Sequence, residues 1–133
     1  MGQQQLLLIV LGVIIVGVAV VLGITYFRQY AADSKREILT DELVNMASMA
    51  QQHYRKPSAM GGGNRSFNGS NGGQVWSIPD EIVTSAAGYF KITEIQSDSL
   101  KILATGNEVV TGNDSVMVSI TIGANDYRVN IIN

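Results

Sequence analysis

The chain has 133 residues, 46% of them hydrophobic and 15% charged, with a formal charge of −2 at neutral pH and no cysteine. That length fits one small domain; the missing thiols exclude disulfide frameworks, thiolate metal sites and cysteine catalysis, and the mild acidity offers no basic stripe for nucleic-acid phosphates. Distribution says more than composition, because every acidic and basic side chain lies at or beyond Arg28, leaving about 105 residues for a soluble part.

The nineteen residues 6–24 contain only Leu, Ile, Val, Ala and Gly, and fifteen of them are Leu, Ile or Val. At about 1.5 Å per residue they make a helix close to the thickness of a hydrocarbon core. At roughly 0.3–0.6 kcal/mol per Leu, Ile or Val, insertion is favoured by about 5–9 kcal/mol, against roughly 3 kcal/mol of helix propensity lost at Gly12, Gly17 and Gly23. Thr25, Tyr26, Phe27 and Arg28 then read as the interfacial end, rings at headgroup depth and guanidinium in water. A secretory signal peptide fits poorly: the run is long, no Lys or Arg precedes it, and no A-x-A-like site follows.

Beyond Arg28 the helical pattern continues, and no proline appears before Pro57. Leu39, Leu43, Met46, Ala50 and Tyr54 recur at spacings of four, three, four and four, with Ile38 and Ala47 widening the stripe and Asp41, Glu42, Asn45 and Ser48 on other faces. The pattern predicts one unbroken helix with two environments, roughly 80 Å long from about Gln3 to Arg55. Its weakest stretch is residues 17–23, between two glycines, and Lys56 and Pro57 close it. Its second half offers an apolar stripe to a partner layer.

Residues 58–73, "SAMGGGNRSFNGSNGG", are too rich in Gly, Asn and Ser to hold regular structure by themselves, and read as a linker or surface loop. A short capped turn is expected next, with Ser77 three residues before Asp80 and Gly88 ending the apolar "EIVTSAA". The tail is β-rich: "GYFKITEIQ", "SLKILATG", "SVMVSITIG" and "DYRVNIIN", bounded by the turn signals "SDS", "TGND" and "GAND". In the third run Val116, Val118, Ile120 and Ile122 share one face and Met117, Ser119 and Thr121 the other, which suits an antiparallel meander with one covered face. The cover available is the helical stripe from Leu39 to Tyr54. The expected class is therefore α+β: a long N-terminal helix, apolar in its first half and amphipathic in its second, packed on an antiparallel sheet of about four strands. Residues 1–27 make the membrane or filament-core half of the helix, 28–56 the amphipathic half, 57–76 the loop and 77–133 a β-rich head.

An apolar N-terminus of about 25 residues, a helix running to about residue 55, a glycine-rich loop and a C-terminal antiparallel sheet together resemble type IV pilins and pseudopilins. In sequence the resemblance is carried mainly by "QLLLIVLGVIIVGVAVVLGI". It implies a structural subunit, not an enzyme, that waits in the inner membrane and is then extracted by pilus assembly machinery into an extracellular homopolymer. Such filaments serve adhesion, motility or another surface task. Leu8, Leu11, Val16, Val18 and Leu22 would lie in the shared helical core, and no cofactor or nucleic-acid partner is expected. Membrane and core are interchangeable environments for such a helix, because both keep Leu and Val from water while the backbone satisfies its own hydrogen bonds. The alternatives are a pseudopilin of a secretion or DNA-uptake machine and a permanent single-pass anchor presenting a small β-rich binding domain.

The sequence departs from the family at Gln5, where members usually carry a glutamate whose charge neutralises a neighbour's amino terminus. Gln5 can hydrogen-bond but supplies no charge. Gln3, Gln4 and Gln5 are therefore expected to form an amide cluster that sets axial register between subunits. The family's basic leader, cysteine pair and helix prolines are also not seen here. Arg28, Lys35 and Arg36 flank the C-terminal end of the apolar run, which by the positive-inside bias alone would hold the head in the cytoplasm; a removed basic leader would reverse the comparison.

Catalytic constellations are scarce. His53, the only histidine, reads as a surface or packing residue, and a zinc site would need carboxylates for most of its ligands. The pairs Asn113–Asp114 and Asn125–Asp126 supply oxygens that suit calcium but are equally what hairpin turns require. "GGGNRS" and "GNEVVTGND" lack the P-loop lysine and the Rossmann strand–helix setting. Asn64, Asn68 and Asn113 satisfy the N-x-S/T glycosylation pattern, which Asn- and Ser-rich loops also generate by chance.

Overall fold

The structure, a computed structural model, describes residues 2–111 and 114–132. Helix α1 runs without a break over Gly2–Arg55. With no proline before position 57, every backbone N–H past the first turn has its carbonyl four residues back. The helix closes where Lys56 N donates to the carbonyls of Gln52 (3.0 Å) and His53 (3.2 Å), and Pro57 adopts extended backbone. Contacts divide the chain between Ala31 and Ala32 into two units. Among the described residues the first contains only helix.

The second unit is the α+β head. Strands β1 (Gly88–Ile95), β2 (Ser99–Thr111), β3 (Asp114–Gly123) and β4 (Tyr127–Ile131) form one antiparallel meander in the order β1-β2-β3-β4. Register places Phe90 opposite Ala104 and Ala104 opposite Val118, then Ile102 opposite Ile120 and Leu100 opposite Ile122. These side chains all fall on one face and are buried, as the period-two alternation requires. Against that face lie Leu39, Leu43, Met46, Ala47 and Ala50 of α1, and each fully buried Leu or Ile there is worth about 1.5–3 kcal/mol. Helix on sheet is the architecture expected of an amphipathic stripe meeting an alternating meander.

Four local readings need correction. The loop after α1 is not a free linker: its backbone is tied to the helix end through Gly63 N to His53 O (2.8 Å), Asn64 N to Lys56 O (3.0 Å) and Arg65 N to Tyr54 O (2.7 Å). Phe67 is fully buried, its ring 4.9 Å from that of Tyr54. Glycine makes this possible, since a Cβ at Gly73 would sit 2.3 Å from the Gly63 carbonyl. The capped turn exists only as the four-residue helix α2 (Asp80–Val83), whose N-cap is Pro79 without a side-chain cap, so Ser77 does not cap it. Gly88 does not terminate a helix. Ser85 N donates to Gly88 O (2.8 Å) and Gly88 N to Ser85 O (3.2 Å), a tight hairpin turn leading into β1 beside the Thr84–Tyr89 bridge. A Cβ at Gly88 would lie 2.0 Å from the Thr105 carbonyl oxygen. Finally, Ile38 does not widen the buried stripe but stays 43% exposed, whereas Ala32 is buried.

Candidate membrane and assembly surface

The first unit presents apolar side chains on every side of a helix. From Leu6 to Ile24 each Leu, Ile and Val is at least half exposed, including Leu8, Leu11, Val16, Val18 and Leu22. Among the described residues, helix backbone aside, nothing lies within 4 Å of where a Cβ would sit at Gly12, Gly17 or Gly23. No polar face interrupts the run, unlike a surface helix, whose apolar stripe covers one side only. Among the described residues this is the one helix long and apolar enough to cross a membrane. Uncovered apolar surface on this scale marks a site that meets lipid or protein.

Its two ends are chemically distinct. Gln3, Gln4 and Gln5 are exposed in the first turn and carry neutral amides. At the far end Thr25 Oγ1 donates to Val21 O (2.9 Å), returning its hydroxyl to the helix, while Tyr26, Phe27 and Tyr30 are exposed. Arg28 is the first charge, and the next, Asp33, pairs with Arg36.

The head holds the other residues singled out by the sequence. Leu39, Leu43, Met46 and Ala50 lie in the core, and Tyr54 packs half-buried at its edge. Burial, then the Asp98 carboxylate whose Oδ1 accepts the phenol hydrogen at 3.3 Å, pushes the Tyr54 pKa above its ordinary value; Arg65 opposes this. His53 clamps the loop, with Nε2 2.7 Å from Gln74 O. A carbonyl can only accept, so Nε2 carries the hydrogen. Asn125 Oδ1 accepts from the Arg55 guanidinium (3.1 Å), and Gln51 Nε2 donates to the carbonyls of Gly123 (3.2 Å) and Asp126 (3.0 Å). The β3–β4 turn is thereby fastened to the helix end. Among the described residues no three His, Asp or Glu side chains gather. Asn64 is exposed and its Nδ2 donates to Asn71 O (3.0 Å); Ser66, which completes its glycosylation pattern, is fully buried. Asn68 is half-buried, its Oδ1 accepting from Ser66 Oγ (2.7 Å) and Ser70 N (3.0 Å), and Asn113 lies outside the described residues.

Sequence reasoning missed a groove of about 310 Å³ on the head, between residues 42–49 of α1 and residues 81–85. No sequence signal marks it, because its two walls are about forty residues apart in the chain. The architecture is pilin-like: a long apolar N-terminal helix continuing into a helix packed on a four-stranded antiparallel sheet. No protein-family model, curated protein sequence or solved structure matches the chain.

Proposed function

We propose that the chain is the repeating subunit of an extracellular, type IV pilus-like helical filament. Residues 6–24 hold it in the inner membrane until assembly machinery transfers it to the filament core. The observation that carries this reading is the all-round exposure of the apolar side chains in residues 6–24. A helix pair would cover one stripe; apolarity on every side calls for lipid or for several neighbouring helices. The role is structural, and the filament acts at the cell surface in adhesion, motility or a related task.

Electron microscopy of material sheared from the surface of cells expressing the chain tests the reading. Thin filaments whose main constituent is this chain support it. Retention of all the protein in the detergent-extractable membrane fraction, with no filaments, would instead identify a permanent anchor.

A further inference from the structure

The groove on the head has an apolar floor and an acidic rim. Met46, only 1% exposed, forms the floor with the half-buried Met49 and Ile82. Glu42 and Glu81 are its charged lining residues, and among the described residues no cation lines the groove. Glu42 accepts the Ser85 hydroxyl (3.1 Å), and neither carboxylate has an ion-pair partner among the described residues. Both carboxylates therefore stand beside apolar surface without a counter-charge.

The complementary feature is on the same chain. Arg28 has Ile24, Thr25, Ala31 and Ala32 at the positions three and four residues away, so no carboxylate lies within the reach of helical neighbours. Phe27, 72% exposed, shares the Arg28 face of the helix with Ile24 and Ala31, while Tyr26 and Tyr30, two positions to either side, lie on the opposite face. That face thus supplies an exposed cation with no carboxylate at helical spacing beside an uncovered ring, which is the inverse of the groove. Thioethers accept aromatic rings well, and opposed charges fix the register of such a contact.

We propose that the groove receives the Phe27–Arg28 face of a second copy of this chain, with the Phe27 ring on Met46, Met49 and Ile82 and the Arg28 guanidinium between Glu42 and Glu81. The proposal rests on the filament reading and names its inter-subunit contact. Both partners lie partly on α1, with residues 42–49 falling 14 to 21 positions beyond Arg28, so parallel copies engage only when staggered by about that many residues. Each copy carries both unlike surfaces. The contact is therefore heterologous and repeats into an open helical polymer.

Charge reversal in the full chain tests it. Arg28→Glu, and separately Glu42→Arg with Glu81→Arg, should each cut the yield of sheared filaments about tenfold or more, the scale of unpairing an interfacial charge, and the triple variant should restore it. Rescue excludes misfolding as the cause. Because the chain has no cysteine, Arg28→Cys combined with Asn45→Cys gives a second readout. Seventeen positions along one helix are too far for an internal disulfide, so oxidation should produce a ladder of linked subunits. Wild-type filaments with full assembly of both reversal variants and no ladder overturn the groove contact and leave the filament reading standing. A ladder in membranes that yield no filaments supports the contact and overturns the filament reading.

Discussion

Leu11 and Leu43 occupy the same helix and differ in everything else: Leu11 is 53% exposed, Leu43 not at all. The first sits in a run with no charge on any face; the second belongs to a stripe with Asp41, Glu42 and Asn45 around it. An amphipathic pattern means that the chain supplies its own cover, here the buried face of the sheet. An apolar pattern on all sides means that cover comes from outside the chain, whether lipid or neighbouring copies. The same hydrophobic free energy therefore stabilises the head in one half of α1 and drives association in the other.

The strongest way to break this comparison is to place a charge in the first half. Val16→Asp or Val18→Asp should abolish filaments, because an unpaired buried charge costs several kcal/mol in every subunit. Normal filaments from either variant would remove residues 6–24 from the core. Cavities sharpen the contrast. Leu43→Ala should destabilise the head by about 2–5 kcal/mol, read as a lowered urea midpoint of the detergent-solubilised chain, whereas Leu11→Ala should leave that midpoint unchanged. Equal losses would mean that the two halves are not energetically separate.

Smaller effects probe the ends of each half. A neutral amide cannot balance a neighbour's amino terminus, so changing Gln3, Gln4 and Gln5 together to Leu should keep apolar packing yet broaden the helical symmetry measured in filament images. Gln5→Glu should be tolerated. Unchanged symmetry and shear resistance in the triple variant would reduce the glutamines to a polar helix end. The smallest effect is at Tyr54. Its pKa is raised in the folded head, so its contribution is fully present below the ordinary phenol pKa of about 10 and is lost as pH rises through the folded value. Tyr54→Phe should flatten the alkaline loss of stability; an unaltered pH profile would show that ionisation of this phenol is not linked to folding.

Much of this was legible in the sequence. The four strands, their antiparallel order and the inward set Val116, Val118, Ile120 and Ile122 follow from alternation and turn residues. Leu39, Leu43, Met46 and Ala50 follow from helical spacing. Of the two readings of the loop, a linker or a surface loop, composition does not choose, because Gly and Asn lower the cost of unusual backbone without saying what the backbone will bond to. Asn64 and Arg65 both take positive φ, 52° and 62°, inside a segment fastened to α1 by main-chain hydrogen bonds that have no sequence signature. Gly88 was misplaced for a related reason: it is required by the approach of Thr105, a residue seventeen positions away. The groove escaped notice because its two walls, Glu42 with Met49 and Glu81 with Ile82, are distant in sequence.

The sequence by itself determined the partition of α1, since charge placement decides which side chains water tolerates and needs no partner to do so. It also determined the strand count and the inward face, because a pleated strand has only two sides. Tertiary structure decided how the loop closes over Phe67, which helix carbonyls hold it, and where the Glu42 and Glu81 carboxylates meet an apolar floor. Those features depend on distances between segments far apart in the chain, which local periodicity does not encode.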